Sequence, residues 1–398
     1  MDRTPTRPGK WAWIGPPRWS WPDGRASPTR FDFRDDGPNP TPCSGTLVQE
    51  DAPFDAVVIG GGPAGSTAAH YLSKAGKRVV LLEKDPFPRF HIGESLLPYN
   101  RRIFDELGVW DTLVASGFPR KWGAQFHTSN GAQKAAFDFR AGRFNRYQDA
   151  LQVERSRFDH LLLQASERAG TSVRQGWQVT RLSETKGGFG VECRRPDQTM
   201  ESLRARFVVD ASGRSNFSGN QEGAKIPHPR LRKLSIFGHF CGVRLDEGER
   251  AGDTVIIRLP EGWFWIIPIG GEKVSVGCVF EKAAFVPGSH APAEAFWKRV
   301  ESSSVLKERL ARAELLGELQ VTTDFSYRNR GLVRGRLVRV GDAAGFIDPI
   351  FPREFFSPWI PLAPRLSASS RRWIDRMDPR VPSCSSTRSG WGRRWISI

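Results

Sequence analysis

The sequence predicts an α/β fold, a doubly wound parallel sheet of the Rossmann type that carries an inserted antiparallel sheet. Three observations predict it. First, FDAVVIGGGPAGSTAAHYLSKAGKRVVLLEK (54–84) runs as apolar strand, glycine turn, small-residue helix and second apolar strand. Second, RARFVVDASGRSN (204–216) and GRLVRVGDAAGFIDPIF (335–351) each place an apolar strand before an acid and a small-residue turn. Third, the stretch 235–280 is rich in β-branched and aromatic residues with strand spacing.

Taken in order, the first strand is expected over Phe54–Ile59, with the turn at Gly60, Gly62 and Gly65 and the second strand ending at Glu83. Glycines there let the backbone turn sharply and approach a pyrophosphate at the helix N-terminus, where free N–H groups and the dipole favour negative charge. Glu83, 18 residues after Gly65, stands where a ribose diol needs an acceptor. Strand, helix and terminal acid in this order make a dinucleotide fingerprint. An amphipathic helix is expected over 151–170, with Phe158, Leu161, Leu162 and Ala165 on one face, and helical patterns over about 292–312 lead back to the last strand.

Bulk properties exclude several classes. A chain of 398 residues with 39% hydrophobic content can bury a sizeable core as one large domain or two. The five cysteines show no CxxC spacing, so neither a zinc site nor a disulfide framework is indicated, and no metal is expected. A cytoplasmic location fits this cysteine usage. No apolar run approaches the roughly 20 residues that span a bilayer, so membrane insertion is not expected. The net charge of +16 raises the question of nucleic acid. Its distribution argues against that partner, because 354–398 holds eight basic residues against three acids while the middle mixes both signs.

Composition changes at both ends. Residues 1–50 and 352–398 are rich in Pro, Arg, Ser and Trp without sustained periodicity, and eight of the 14 tryptophans lie there. The first segment is expected to be a disordered or spurious tail, and the last an aberrant, disordered one. Between them, 54–98, 151–215 and 320–351 are expected to form the nucleotide-binding domain. The substrate domain is expected from 99–150 and 216–319.

The segments ending in Asp210 and in Gly341–Asp342 resemble the second and third FAD motifs of the aromatic-hydroxylase flavoproteins, in which the acid of the GD pair holds the ribityl chain. Asp342 also reads as a helix N-cap. FPRFHIGESLLP (87–98), with Arg89, Glu94 and Ser95, resembles the strap beside the flavin in flavin-dependent halogenases and geranylgeranyl-reductase-like enzymes. The resemblance brings Arg155 near the cofactor, whereas the residue alone reads as a surface helix arginine.

GWFWIIPIG (262–270) fills the W-x-W-x-I-P signature of flavin-dependent halogenases with Trp263, Trp265, Ile267 and Pro268. Period-two spacing puts both indoles on one strand face, a wall that in that family keeps substrate from the flavin. Without the resemblance this is a cross-strand aromatic pair. GFPRKWGAQF (117–126) is similar to the stretch that carries the catalytic lysine of the phenolic and carrier-bound-substrate branch, which assigns Lys121 as halogen relay. A lysine considered singly is a solvated surface residue.

The resemblance implies an oxidoreductase that uses FAD, as FADH2 from a separate flavin reductase, with O2 and halide, on a small or carrier-bound aromatic substrate. The alternatives are a flavin monooxygenase or geranylgeranyl-reductase-like enzyme, and an inactive truncated flavoprotein. The resemblance stops after 351. There the family continues with two small residues and a glycine that help form the halide site, while this sequence has Pro352, Arg353 and Glu354. Proline offers no N–H and glutamate lacks the freedom of glycine, so a halide pocket built there is expected to be damaged. A one-base shift within PWIPLAPR (358–365) would restore a helical continuation, and a frameshift with loss of the C-terminal helical part is the expectation.

Overall fold

A computed structural model describes residues 53–142, 146–285 and 292–347. The tail 1–50, the segment 352–398 and the frameshift reading lie outside the described residues.

The first strand spans Phe54–Ile59, the helix Pro63–Lys74 follows the glycine turn, and the second strand, Val79–Glu83, ends at the expected acid. These strands lie in an eight-stranded sheet, in which Leu337–Arg339, Met200–Asp210, Phe54–Ile59, Val79–Glu83 and Ser172–Gln175 run parallel side by side. Both sheet faces are covered, which is why the strands read as unbroken apolar runs. Ala56 and Val58 face the helices Pro63–Lys74 and Arg155–Arg168 through Ala68, Leu72 and Leu163. Val57 and Ile59 face the hairpin Gln178–Thr185 and Gly188–Arg194 through Leu182 and Val191.

A second, seven-stranded sheet has the order Glu314–Thr323, Lys233–Cys241, Lys273–Glu281, Gly262–Gly270, Thr254–Leu259, Gly123–Thr128, Lys134–Asp138. Its pairings are antiparallel except between Thr254–Leu259 and Gly123–Thr128, which run parallel. The helices Pro292–Glu301 and Ser304–Arg309 cover one face, where Phe296 packs on Phe240 and Phe264. The other face carries Phe237, Ile256, Trp263, Trp265 and Ile267.

Three expected boundaries need correction. Residues 320–323 were assigned to the nucleotide domain, yet they end the edge strand of the second sheet, where Thr322 pairs with Ser235. The helices Asn100–Leu107 and Trp110–Ala115, assigned to the substrate domain, pack through Phe104 and Leu113 with Phe158 and Leu162 of Arg155–Arg168. Their amphipathic faces need that helix, and connectivity alone could not show it. The helix Arg155–Arg168 also starts later than expected, because Ala150–Leu151 form a short strand.

The turn after Met200–Asp210 is tied to the last described strands by a reciprocal amide pair. Asn216 Nδ2 donates to Asn329 Oδ1 and Asn329 Nδ2 to Asn216 Oδ1, each at 3.0 Å. Asn216 is fully buried and has φ +46, which asparagine tolerates better than most residues. Replacing Asn329 by Leu strands the Asn216 amide, and urea unfolding is expected to show a loss of about 1–3 kcal/mol.

Candidate active site

The glycine turn opens onto a cleft of about 400 Å³ lined by Gly60, Gly62, Glu83, Arg89, Arg155 and Gly341, among others. Gly60 has φ +100, and a Cβ at Gly65 would lie 1.9 Å from Gly60 O, so strand and helix approach more closely than any other residue permits. Pro63 begins the helix, and no side chain caps it. Its first N–H groups therefore remain for a ligand's anionic oxygens.

Glu83 holds the turn from behind. Its Oε2 accepts Gly61 N–H at 2.7 Å and its Oε1 accepts Asp85 N–H at 2.9 Å. Arg89 reaches both Asp159 (3.2 Å) and Glu83 (3.7 Å). Arg155, expected to be exposed if read without the resemblance, is 5% exposed. Its guanidinium grips Asp159 at 2.7 and 3.0 Å and donates to the strap carbonyls of Ile92 and Gly93 at 2.5 and 3.2 Å.

Asp342 lines this cleft and also a second cavity, and His91 and Arg214 do the same. The two spaces therefore adjoin. Burial raises the Asp342 carboxyl to about 6 against the opposing charges of Arg155 and Arg214. Asp342 is not a cap, since Val340 begins the short helical turn Gly341–Ala343. Burial, then the Arg155 charge, lowers the His91 imidazole to about 3, so it is neutral at physiological pH.

Asp210 departs from its expected role. It is fully buried and absent from the cleft wall, and its oxygens accept the N–H groups of Ser212 and Ser218 and the Ser218 hydroxyl. It shapes the turn whose Ser212, Gly213 and Arg214 face the cleft.

The second cavity, about 460 Å³, is mostly apolar and lies against the second sheet. Lys121 lines it from the two-residue strand Arg120–Lys121, which pairs with Ala150–Leu151. The lysine is 2% exposed. Its Nζ lies 2.7 Å from Ser95 Oγ and 3.2 Å from Leu96 O, and 5.4 Å from the Phe139 ring centre. Burial lowers the amine to about 7, although Asp253 pulls the other way.

Trp263 and Trp265 line the same cavity, their ring centres 5.8 Å apart. Trp265 Nε1–H donates to Ser275 Oγ at 3.0 Å, and a Cβ at Gly277 would meet the indole at 2.2 Å. That glycine makes room for the ring. Pro268 does not belong to the wall as expected. The alternation of the strand puts Ile267 on the cavity, while Pro268 pairs with Val274, part of the core on the opposite face.

Glu94 and Ser95, expected on the cofactor, line the apolar cavity rather than the glycine cleft. Ser95 holds Lys121, and Glu94 Oε1 accepts His239 Nε2–H at 2.6 Å. Sequence reasoning missed His91 and Arg214, although both lie inside quoted motifs, because neither occupies a position that defines those motifs. It missed Thr254, Gln152 and Gly277 because single polar or small residues inside strands carry no pattern.

These features together define a protein that binds FAD. The residues fit the group through the uncapped helix, the Gly60–Gly65 cradle and the acid at Glu83. The FAD binding domain family matches residues 54–351. The 1H-pyrrole-2-carbonyl-(peptidyl-carrier protein) chlorinase of Pseudomonas fluorescens is 31% identical over 76% of this chain and 72% of its own. The tryptophan 2-halogenase of Chondromyces crocatus is 33% identical over 74% of this chain and 56% of its own. Among solved structures, the myxobacterial chondrochloren halogenase CndH superposes with TM-score 0.74 at 32% identity, covering 81% of this chain and 78% of that one. The chain belongs to the flavin-dependent halogenases, FAD-dependent enzymes of the oxidoreductase type. Among the described residues no helix is long and apolar enough to cross a membrane, and no His, Cys, Asp and Glu cluster could hold a metal ion.

Two outcomes follow from this geometry. A Gly65→Ala chain should bind FAD at least about tenfold more weakly in a fluorescence titration, because its Cβ overlaps Gly60 O. The unfolded lysine titrates at 10.5 and the folded one near 7, so the unfolded chain binds the extra proton between these values. Stability conferred through this site therefore rises with pH across that window, and Lys121→Met should flatten the rise in urea unfolding.

Proposed function

We propose that this chain halogenates an electron-rich aromatic substrate, free or carrier-bound, with Lys121 relaying the halogen. The observation that carries the reading is a buried amine and a paired-indole wall on one cavity that adjoins the nucleotide cleft. Bound FAD, supplied reduced by a separate flavin reductase, would provide hypohalous acid from O2 and halide.

The glycine turn and the N-terminus of Pro63–Lys74 would hold the pyrophosphate, Glu83 the ribose, and Gly341–Asp342 the ribityl chain. Trp263 and Trp265 keep the substrate away from the flavin, so that the halogen must travel. Lys121 receives it at the far end. As a free base its nitrogen attacks the halogen, forming N–Cl while O–Cl breaks, and the displaced hydroxide leaves as water with one amine proton. The ring then takes the chlorine, and its displaced proton returns to the amine. As a hydrogen-bond donor, Lys121 would instead polarise intact hypohalous acid beside the ring. The relatives that act on a carrier-bound pyrrole support the substrate class.

The test is Lys121→Ala assayed with reduced FAD, halide and a panel of phenols, indoles and carrier-bound pyrroles. Halogenated product is expected to fall by about 100-fold or more while oxygen consumption continues. A variant that halogenates as well as the parent would refute the reading, and hydroxylated product from both would favour a monooxygenase.

A further inference from the structure

A polar chain runs from the Lys121 amine through Ser95 and Thr254, both on the cavity wall, to the buried Gln152. Ser95 Oγ, 2.7 Å from Nζ, is 2.8 Å from Thr254 Oγ1. Gln152 Nε2 donates to Thr254 Oγ1 at 2.9 Å and to Gly252 O at 3.0 Å. A carbonyl only accepts, so Gly252 fixes the orientation of the Gln152 amide, and both amide hydrogens are used. Gln152 is fully buried, does not line the cavity and is bridged through its backbone to Ser95. The four links come from separate segments, namely the strap, the strand of Lys121, the residue after Ala150–Leu151 and the start of Thr254–Leu259.

The amine's surroundings explain why such a chain matters. Among the described residues no carboxylate pairs with Lys121, and the rest of its wall is largely apolar. A lysine has four rotatable bonds and about 2 kcal/mol of rotamer entropy to lose. Without fixed acceptors Nζ would sample several positions in the cavity. Ser95 Oγ and Leu96 O engage two of the amine's bonding positions, and the residue lines the cavity. Ser95 can act so only if its own hydroxyl is held, and Thr254, itself held by Gln152, does that.

We propose that Ser95, Thr254 and Gln152 are positioning residues that fix the Lys121 amine toward the halogen acceptor. The inference rests on Lys121 acting as relay. Gln152 does not line the cavity, and its amide reaches the Lys121 amine through Thr254 and Ser95, with a second bond to Gly252 beside the strand of Lys121.

The experiment compares Thr254→Val, Thr254→Ser and Gln152→Met, with Lys121→Ala as control and FAD binding and thermal melting as checks on folding. In protein labelled with 15N-lysine and free of FAD, the Lys121 Nζ protons should exchange slowly in the parent and in Thr254→Ser, and rapidly in Thr254→Val and Gln152→Met. In the loaded enzyme, product per O2 consumed should fall at least about tenfold in the last two, with substrate KM unchanged, and stay within about twofold in Thr254→Ser. Slow exchange retained in both Thr254→Val and Gln152→Met would overturn the proposal, as would parental product per O2. A raised KM confined to Thr254→Val would make Thr254 a substrate contact and overturn it too. Parental halogenation by Lys121→Ala would instead overturn the relay itself, even if the exchange result held.

Discussion

The removal of one lysine amine from water organises the functional half of this molecule. An ammonium loses much of its solvation in such a place, and among the described residues no carboxylate is in contact with it, only a hydroxyl and a carbonyl. The balance therefore moves toward the free base near neutral pH, which is the form a nucleophile needs. A short strand pair holds the backbone beneath it, and a Cβ at Gly252 would come 1.7 Å from Arg120 O, so the neighbouring chain lies tightly against that strand.

The same amine is linked to the nucleotide cleft by an unbroken series of contacts. Gly61 N–H is held by Glu83, Glu83 faces Arg89, Arg89 meets Asp159, and Asp159 is gripped by Arg155. Arg155 then holds the strap carbonyls just before Glu94 and Ser95, and Ser95 touches Lys121. Buried ion pairs of this kind add little net stability, because desolvation offsets their attraction. Their effect here is geometric. They keep the strap, which has little regular hydrogen bonding of its own, at one height between the two cavities.

The second sheet supplies the opposite wall by simple alternation. Trp263, Trp265 and Ile267 face the cavity because they are two residues apart, while Phe264 and Ile266 enter the helix-covered core. The Trp265 indole lies across Gly277 and bonds Ser275, so its plane is set by the neighbouring strand rather than by its own. Wall and amine thus reach one space from different layers of the fold.

Much of this was legible in the chain. Phe54–Ile59, the turn at Gly60–Gly65 and the acid at Glu83 follow from local rules, since a buried parallel strand, a tight turn and an uncapped helix each leave a pattern in neighbouring residues. The GES strap and the paired tryptophans were recognisable for the same reason. What those rules could not convey was the direction in which a side chain spends its hydrogen bonds. Asp210 looked like a ligand and proved to be consumed by its own turn, Pro268 fell on the wrong side of the pleat, and Arg155 proved to be buried. The sequence by itself determined the elements and the residue types available to them. Only the tertiary structure decided that Ser95, Thr254 and Gln152, distant along the chain, form one network with Lys121, because desolvation and hydrogen-bond partnership depend on what packs nearby rather than on what lies adjacent in sequence.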